Sequence, residues 1–408
     1  MNSTFDIVIV GGSVAGAILA GTLAGDGWNV AVIERSSTFR DRVRGEGIHP
    51  WGVAEAERLG LLPVLQDAGA NALPVWQNYA SRIPEQPYVW AGDSVGGHPE
   101  MSVYHPALQS AMLDWARKQG ATIFRPAEAV ALCPGTRPEV DVDAHGRVET
   151  LRARLVAGAD GRSSRVRRWI GARIHRDRPH HLIGGGLLAG VALDESAAHA
   201  GNFPGGRMFL LPQGHGRARA YVVISPQRLA EHQPHRSRGA FLAVCASVLP
   251  PGTLDSATVA GPVAFFPNAD VWSSPLTAPG VVLIGDAAGA NDPSVGNGLS
   301  LVLRDVRTLR DALRSTAGWD EAIRCYAECR QRDFAVLRAH AQWLGMLTTE
   351  EGEEADARRE RVARAREHDP AAGGFGLIFA RGPDGLVADE AARRHFFGED
   401  LVANVTQR

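Results

Sequence analysis

Glycines and one acid near the start of the chain have the types and the spacing that bind a dinucleotide. Residues 6–10 contain a short β-branched run that predicts a buried parallel strand, and the segment Gly-Gly-Ser-Val-Ala-Gly at 11–16 follows it. A helix predicted over about 14–23 would direct free N–H groups and a partial positive charge at a pyrophosphate. Glu34 ends the next predicted strand, 23 residues after Gly11, where a carboxylate accepts a hydrogen bond from a ribose. The segment therefore predicts a dinucleotide-binding turn in which a serine replaces the usual second glycine.

Two later motifs indicate which dinucleotide is bound. In the middle of the chain, Ala-Gly-Ala-Asp-Gly-Arg-Ser occupies residues 157–163 and contains Asp160. Further on, Val-Val-Leu-Ile-Gly-Asp-Ala-Ala-Gly occupies residues 281–289 and contains Asp286. The three motifs in this order resemble the FAD-dependent aromatic hydroxylase-like monooxygenases, the para-hydroxybenzoate hydroxylase-like flavoproteins. The resemblance implies FAD as the cofactor and NADH or NADPH as the electron donor.

The resemblance also implies which residues hold FAD. In the family, the acid at the place of Asp160 lies near the pyrophosphate and acts toward the nicotinamide cofactor, and the acid at the place of Asp286 holds the ribityl chain. Pro293 resembles the proline beside the isoalloxazine, and the backbone of 296–298 would point N–H groups at the pyrimidine edge of the ring. The candidate cofactor-binding residues are Gly11, Gly12, Ser13, Ala15, Gly16, Glu34, Arg35, Arg44, His105, Gln109, Asp160, Gly285, Asp286, Pro293, Gly296, Asn297, Gly298 and Leu299.

Two positions depart from the family pattern. The family usually carries a histidine where this chain has Gly289, and this variant resembles the branch of flavin halogenases and geranylgeranyl reductases. His105 replaces the arginine that usually precedes an L-x-x-x-L helix, whereas Gly45 and Glu46 again resemble the halogenase-like branch. These departures keep the chain within the flavoprotein resemblance and leave its reaction open.

The resemblance implies an enzyme, an FAD-dependent oxidoreductase that hydroxylates a small aromatic substrate of phenolic or heteroaromatic type, natural products included. In the family, reduced FAD reacts with O2 to form a flavin hydroperoxide, and electrons arrive from NAD(P)H directly or through a separate flavin reductase. The cofactor carries the difficult chemistry, so the protein supplies a dry pocket and orientation. We therefore assign no catalytic side chain and name His49, Trp51 and Pro293 as candidate substrate-pocket residues.

Three alternative functions remain open. The first is oxygen-independent reduction or dehydrogenation of a prenyl or ring substrate, which Gly289 permits. The second is halogenation, but tryptophan halogenases need a tunnel lysine and a W-x-W-x-I-P segment. Here Lys118 lies in an ordinary predicted helix, and no two tryptophans stand two residues apart. In the third, FAD is a structural or sensing ligand.

The composition argues against nucleic acid and membranes as partners. The formal net charge is −2 over 408 residues, which indicates no strongly charged surface that would attract either. Residues 7–24 are apolar, but Asp6 precedes them and glycines interrupt them, which favours strand, turn and helix over a membrane span. We therefore expect a cytoplasmic protein. The four cysteines, at 133, 245, 325 and 329, suggest packing thiols, and we expect no metal site.

The order of elements predicts an α/β fold. An FAD-binding Rossmann-like domain with a parallel sheet is interleaved with a β-rich substrate domain and a helical C-terminal segment. The predicted FAD-binding domain covers residues 1–75, 105–175 and 267–345, the substrate-binding β-sheet domain 76–104 and 176–266, and the helical C-terminal segment 346–408. Residues 129–156 predict a β-meander, and strands are predicted at 187–193, 207–211 and 219–224.

Overall fold

The structure is a computed structural model that describes residues 3–316, 318–369, 371–373 and 375–400. Its strands in chain order are β1 (Ser3–Thr4), β2 (Ile7–Val10), β3 (Val30–Ile33), β4 (Gly47–Ile48), β5 (Asn71–Leu73), β6 (Val75–Ala80), β7 (Ile83–Pro84), β8 (Tyr88–Val89), β9 (Glu100–Ser102), β10 (Thr122–Phe124), β11 (Glu128–Cys133), β12 (Glu139–Ala144), β13 (Arg147–Arg152), β14 (Leu155–Gly158), β15 (Arg173–Arg176), β16 (Leu182–Ala189), β17 (Ala197–Phe203), β18 (Gly206–Gly214), β19 (Arg217–Ile224), β20 (Thr258–Val259), β21 (Ala264–Pro267), β22 (Val271–Ser274), β23 (Thr277–Ala278), β24 (Val281–Leu283) and β25 (Gly289–Ala290). Its helices are α1 (Val14–Gly25), α2 (Pro50–Arg58), α3 (Leu62–Asp67), α4 (His105–Lys118), α5 (Arg165–Trp169), α6 (Pro226–His232), α7 (Arg238–Ala246), α8 (Gly298–Ser315), α9 (Trp319–Thr348), α10 (Glu353–Arg366), α11 (Phe375–Ala380) and α12 (Glu390–Phe396). Short 3-10 turns cover Trp90–Gly92, Val95–Gly97, Gly285–Ala287, Pro293–Val295 and Gly382–Gly385.

A mainly parallel sheet carries the three sequence motifs. Strands β10, β3, β2, β14 and β24 are parallel in that order, and β23 adds an antiparallel edge. The sequences of β2 and β3, Ile-Val-Ile-Val and Val-Ala-Val-Ile, are buried throughout, as is usual for parallel strands covered on both faces. Helices α1, α4 and α8 pack on one face, and the meander β11–β13 with α5 packs on the other. The predicted α/β fold class is confirmed.

A larger mixed sheet lies beside the first. Strands β20, β16, β19, β18 and β17 are antiparallel neighbours, and β6 pairs in parallel with β17. One face contributes Phe209, Tyr221 and Val223 to an aromatic cluster, and the other packs on α7 through Phe241 and Cys245. Residues 75–80 thus join a sheet whose other long strands follow residue 181, while the division into domains remains a prediction.

Two strand predictions were wrong in part. The predicted meander 129–156 ends with β13, because the next apolar residues form β14, which lies between β2 and β24 in the other sheet. The strand predicted at 187–193 lies earlier, at Leu182–Ala189, and β17 was not predicted. Its sequence, Ala-Ala-His-Ala-Gly-Asn-Phe, contains no β-branched residue, so it lacks the usual strand signal.

The C-terminal part of the described chain is helical, as predicted. The 30-residue helix α9 packs on α8, and α10 to α12 follow it. Phe379 and Phe396 of this segment belong to the same buried cluster as Trp51 and Trp76, so the segment packs against the large sheet. Residues 401–408 of the predicted segment lie outside the described residues. None of the described helices combines the length and the apolar composition that crossing a membrane requires.

Candidate cofactor and substrate site

Four loops with predicted cofactor residues meet at one edge of the parallel sheet. The carboxyl ends of β2, β3, β14 and β24 lie in register with one another. The loops that follow them carry, in the same order, the glycine turn, Glu34, Asp160 and Asp286. Ligands of open parallel sheets bind outside the carboxyl ends of the strands, so this edge is the candidate cofactor site.

Close backbone packing explains the glycine turn. Gly11 has a φ of +105°, and a Cβ there would lie 2.4 Å from the carbonyl oxygen of Ala159. The Gly12 N–H donates to Glu34 Oε2 at 2.9 Å, and the Ser36 N–H donates to Glu34 Oε1 at 2.7 Å. Glu34 is thereby fixed beside the turn, and each carboxylate oxygen keeps a lone pair that can accept a ribose hydroxyl.

Helix α1 begins directly after this turn. Ser13 is its N-cap residue, and its hydroxyl accepts from Gln109 Nε2 of α4 at 2.8 Å. Ala15 and Gly16 are buried in the first helical turn, and a Cβ at Gly16 would lie 1.8 Å from the carbonyl oxygen of Gly11. Because the Ser13 hydroxyl does not cap the helix, the first N–H groups of α1 can bind a pyrophosphate.

His105 is buried at the start of α4. Its backbone N–H donates to Glu46 Oε1 at 2.9 Å, and its Nδ1 lies 2.9 Å from the carbonyl oxygen of Gly45. Burial lowers the pKa of His105 to about 4, so the ring is neutral and Nδ1–H donates to that carbonyl. Nε2 is then a buried acceptor that has no partner among the described residues. It can accept a hydroxyl hydrogen, which an arginine at this position could not do.

Asp160 and Asp286 follow neighbouring strands and have different partners. Asp160 Oδ2 accepts the Arg165 N–H at 2.6 Å at the start of α5. Its other oxygen, Oδ1, is buried and without a partner in the part of the chain that the structure describes. Asp286 is half-buried in the 3-10 turn after β24, 3.6 Å from the Arg162 guanidinium. Its carboxylate can therefore bind a ligand as well as the arginine.

A buried ion pair, which the sequence analysis missed, supports the third motif. Arg330 Nε of α9 lies 2.7 Å from Asp305 Oδ1 of α8. Asp305 Oδ2 accepts the Gly285 N–H at 2.9 Å, and Arg330 Nη2 donates to the carbonyl oxygen of Gly289 at 2.9 Å. The available signal was a charge on the apolar side of each helix, and buried charges are usually paired.

The packing around residue 289 explains why it is a glycine. It pairs with Trp272 where β25 lies against β22. A Cβ at Gly289 would lie 2.9 Å from the carbonyl oxygen of Val271 and 3.2 Å from the Cα of Trp272. The histidine that the family usually carries would not fit between these strands.

We call residues 291–298 the edge loop, because the resemblance places them at the edge of the flavin. Gly296 has a φ of +72° and its N–H donates to the Pro293 carbonyl at 3.2 Å, so this N–H is used within the loop. His49 Nε2 lies 2.8 Å from the carbonyl oxygen of Val295. The loop leads into α8, whose first N–H groups lack an intrahelical acceptor. The predicted cofactor residues of this region are Pro293, Gly296, Asn297, Gly298 and Leu299.

Aromatic side chains gather beside the edge loop. His49 and Trp51, both buried, stand at the start of α2. The Phe379 ring lies 4.5 Å from the His49 ring and is stacked at 5.9 Å and 10° on the Trp76 ring. The buried cluster includes Trp51, Trp76, Trp90, Phe209, Tyr221, Val295 and Phe379. Glu100 Oε1 lies 3.3 Å from His49 Nδ1, so an ionisable pair borders the cluster.

Arginines of two kinds flank this edge of the sheet. Arg35 and Arg44, both predicted to contact the cofactor, are exposed. Arg219 of β19 is fully buried and donates to both oxygens of Glu46 at 2.9 Å and to Asp41 Oδ2 at 2.8 Å. This cluster of Arg219, Glu46 and Asp41, which was not predicted from the sequence, connects the loop before α2 to the large sheet.

The residues at this edge fit FAD. Buried polar atoms without a partner among the described residues come from three separate elements: Asp160 Oδ1, His105 Nε2 and Asn297 Oδ1. Space is open at three glycines, where a Cβ would meet no atom within 4 Å: Gly45, Gly161 and Gly298. All three atoms are acceptors, so the hydroxyl and ring N–H groups of an extended ligand would satisfy them.

Known proteins share sequence or fold with this chain. Residues 4–358 match a family model described as FAD binding domain. Squalene epoxidase 3 of Arabidopsis thaliana is 26% identical over 328 residues, which span 76% of this chain and 60% of the epoxidase. Digeranylgeranylglycerophospholipid reductase 1 of Methanococcoides burtonii is 27% identical over 312 residues, 74% of this chain and 72% of the reductase. The solved structure of p-nitrophenol 4-monooxygenase PnpA from Pseudomonas putida DLL-E4 has a TM-score of 0.74 at 19% identity, covering 100% of this chain and 98% of PnpA. This last likeness shows a shared fold.

Proposed function

Because the chain belongs to the FAD-binding domain family, we propose that it is an FAD-dependent monooxygenase that hydroxylates a small aromatic substrate with O2 and NADH or NADPH. The buried aromatic cluster beside the edge loop is the observation that carries this proposal. Aromatic side chains bind planar apolar rings through offset or edge-to-face contacts, and they exclude water from the reacting atoms. The His49–Glu100 pair places a polar group at the border of this apolar cluster, where it could orient a substrate hydroxyl.

FAD, when bound, supplies electron transfer and the activation of O2, so the side chains serve to bind, to orient and to exclude water. The glycine turn and the N-terminus of α1 would hold the pyrophosphate, and Glu34 would accept a ribose hydroxyl. Asp286 and His105 Nε2 would accept hydroxyl hydrogens of the ribityl chain. Arg44 would lie beside the ring, as the family resemblance implies.

The edge loop would orient the ring. The first N–H groups of α8, from Gly298 onward, and the partial positive charge of this helix end would stabilise negative charge on the pyrimidine edge. The Val295 carbonyl already accepts a hydrogen bond from His49 Nε2–H, which fixes this part of the loop.

The test is turnover by the purified protein with its flavin. We expect bound FAD, NADH or NADPH oxidation that a phenolic substrate stimulates, and a product that gains one oxygen atom from labelled O2. If turnover begins only when a flavin reductase is added, electrons arrive through a separate partner. A protein that neither holds nor takes up FAD would contradict the premise, and substrate-independent oxidation alone would contradict hydroxylation.

A second candidate is oxidation or reduction of an isoprenoid chain. It is favoured by the similarity to a squalene epoxidase and to a digeranylgeranylglycerophospholipid reductase, and by Gly289. Anaerobic reduction of a prenyl substrate by the reduced protein would support a reductase, and an O2-dependent epoxide would support an epoxidase. A halide requirement would instead indicate a halogenase.

A further inference from the structure

Two adjacent histidines connect the edge loop to the end of α9. His180 Nε2 lies 2.9 Å from Asp292 Oδ2 of the edge loop, and His180 Nδ1 lies 2.9 Å from His181 Nδ1. His181 Nε2 in turn lies 2.9 Å from the backbone carbonyl oxygen of Thr349, the residue that follows α9. The Asp292 side chain is 2% exposed and that of His180 is 38% exposed. The contacts therefore run from a ring that solvent can reach to a buried carboxylate.

This row of contacts needs one proton more than two neutral histidines carry. The carboxylate of Asp292 and the carbonyl of Thr349 are acceptors, so both Nε2 atoms must carry hydrogen. The contact between the two Nδ1 atoms needs a third hydrogen, but two neutral imidazoles have only two. Because burial keeps His181 neutral, the extra proton makes His180 an imidazolium, whose Nε2–H donates to the Asp292 carboxylate.

Loss of that proton breaks at least one contact, whichever tautomers form. A neutral His180 either turns a lone pair toward the Asp292 carboxylate or turns one toward the Nδ1 lone pair of His181. If His181 changes its tautomer instead, its Nε2 lone pair faces the carbonyl of Thr349. Each outcome places two acceptors 2.9 Å apart, which is repulsive.

Asp292 also determines the shape of the edge loop. Its Oδ1 accepts from the Ser294 N–H at 2.8 Å and from the Ser294 hydroxyl at 2.7 Å, which fixes the 3-10 turn at Pro293. The Asp292 N–H donates to Asp270 Oδ1 at 2.9 Å, and Asn291 Nδ2 donates to the same oxygen at 2.5 Å. A change at the His180–Asp292 bond thus acts directly on the backbone of the loop.

The charges around the pair favour retention of the proton. The hydrogen bond to Asp292 raises the pKa of His180, and Asp270 and Glu350 add to this effect. Burial lowers the pKa of His181, which keeps that ring neutral. Asp177 is the next acid, and it is paired with Arg338 of α9 at 2.5 Å.

We propose that the proton held between His180 and Asp292 stabilises the edge loop in the arrangement that receives the flavin ring. When this proton is lost, the loop opens more often. His180 and Asp292 are positioning residues, because they act through the backbone of 291–297. The inference rests on the proposed function only in placing the flavin ring at this loop.

Hydrogen exchange of the FAD-free protein tests whether the proton stabilises the edge loop. Between about pH 6 and pH 9, after correction for the intrinsic exchange rate, we expect the protection of the amides at 291–297 to fall about tenfold. The fall should vanish in His180→Gln, which cannot gain or lose this proton, and persist in the control His235→Gln, an exposed histidine distant in sequence from the loop. It should also persist in Asp270→Asn, which keeps the acceptor oxygen but does not titrate. A fall that is absent in the native protein, or unchanged in His180→Gln, would overturn the proposal.

A second measurement avoids the risk that a variant does not fold. In the native protein, 15N resonances of the His180 ring should show both nitrogens protonated at pH 7, and a neutral His180 ring would refute the proton count. The dissociation constant of FAD should rise with pH over the same range in the native protein and stay flat in His180→Gln. A loop that loosens with no change in FAD affinity would refute the link to the cofactor, and activity need not be measured for either result.

Discussion

At the scale of single residues, His105 shows how one substitution changes the chemistry of a position. The family's usual arginine offers only donors, whereas the neutral His105 ring offers a buried acceptor at Nε2. The sequence identified the position and its departure from the pattern. It could not tell that the ring is neutral, because that follows from burial and from the Gly45 carbonyl at 2.9 Å.

Asp286 is the side chain on which FAD retention should depend most directly. We expect Asp286→Ala to raise the dissociation constant of FAD at least about tenfold, because a charged acceptor is lost from the ribityl contact. Titration of the apoprotein with FAD, followed by flavin fluorescence, measures the change. The control is Asp114→Ala, an exposed acid on α4 paired with Arg117, which should bind FAD like the native protein. Equal affinity in Asp286→Ala would show that this acid does not contact the cofactor.

Asp270 should make stability depend on pH. Burial and the neighbouring Asp292 raise the pKa of Asp270 from 3.8 to about 7 in the folded protein. The folded state therefore binds more protons than the unfolded state between these values, so the free energy of unfolding falls as pH rises through this window. Asp270→Asn removes the charge and keeps the acceptor for Asn291 and Asp292.

We expect Asp270→Asn to match the native protein near pH 4 and to be more stable by about 4 kcal/mol at pH 8. Thermal unfolding of both proteins across this pH range provides the measurement. A stability difference that is constant with pH, or larger in acid, would contradict the raised pKa.

At the scale of elements, the pairing of β22 with β25 explains why residue 289 is a glycine. Gly289 lies between strands that leave no space for a side chain, since a Cβ would approach the Val271 carbonyl to 2.9 Å. Arg330 of α9 also donates a hydrogen bond to the Gly289 carbonyl. A side chain at this position would therefore require β22 to shift.

Replacing Gly289 should accordingly destabilise the protein. We expect Gly289→Ala to lower the free energy of unfolding by about 1–3 kcal/mol, because the β22 backbone at Val271 and Trp272 must move, and Gly289→His to lower it further. The matched control is Gly239→Ala in α7, where a Cβ would meet no atom within 4 Å and alanine favours the helix. Urea unfolding compares the stability of the three variants. If Gly289→Ala were as stable as Gly239→Ala, the β22 backbone could shift at little cost in free energy.

At the scale of the whole molecule, one buried arginine connects the two large sheets. Arg219 belongs to the large mixed sheet, and Glu46 lies in the loop that leads from the parallel sheet to α2. That loop also carries Arg44 and His49, so the ion pair positions the predicted cofactor residues relative to the aromatic cluster. Both charged side chains are fully buried. Removal of either one would leave the other as an unpaired buried charge, which destabilises the folded state.

Arg219→Met should destabilise the protein by about 3–5 kcal/mol, because it leaves Glu46 buried and unpaired by charge. Adding Glu46→Gln should recover part of the loss, since the uncompensated carboxylate is then removed. The control is Arg117→Met, which removes the exposed ion pair with Asp114. It should lower the free energy of unfolding by at most about 1 kcal/mol. Urea unfolding with the double-mutant cycle measures these values, and a double variant that is less stable than Arg219→Met would contradict the argument.

The sequence by itself determined the elements whose causes are local. Glycines 11 and 16, the β-branched runs of β2 and β3, and Glu34 lie within 34 residues, and short-range sterics make their turn, strands and helix. Asp160 and Asp286 were named from the resemblance of their motifs to the flavoprotein family, because an Asp-Gly pair alone, as at Asp160, would predict only a turn. Whether these residues contact FAD remains a prediction.

Only the tertiary structure decided which distant charges meet. Arg219 and Glu46 are 173 residues apart, and His180 and Asp292 are 112 apart. No local pattern predicts such pairs, because a buried charge is stabilised by whichever partner the folded chain brings to it. For the same reason β14 was assigned to the wrong sheet: its apolar run predicts a strand, but its neighbours β2 and β24 are chosen by the packing of the whole chain.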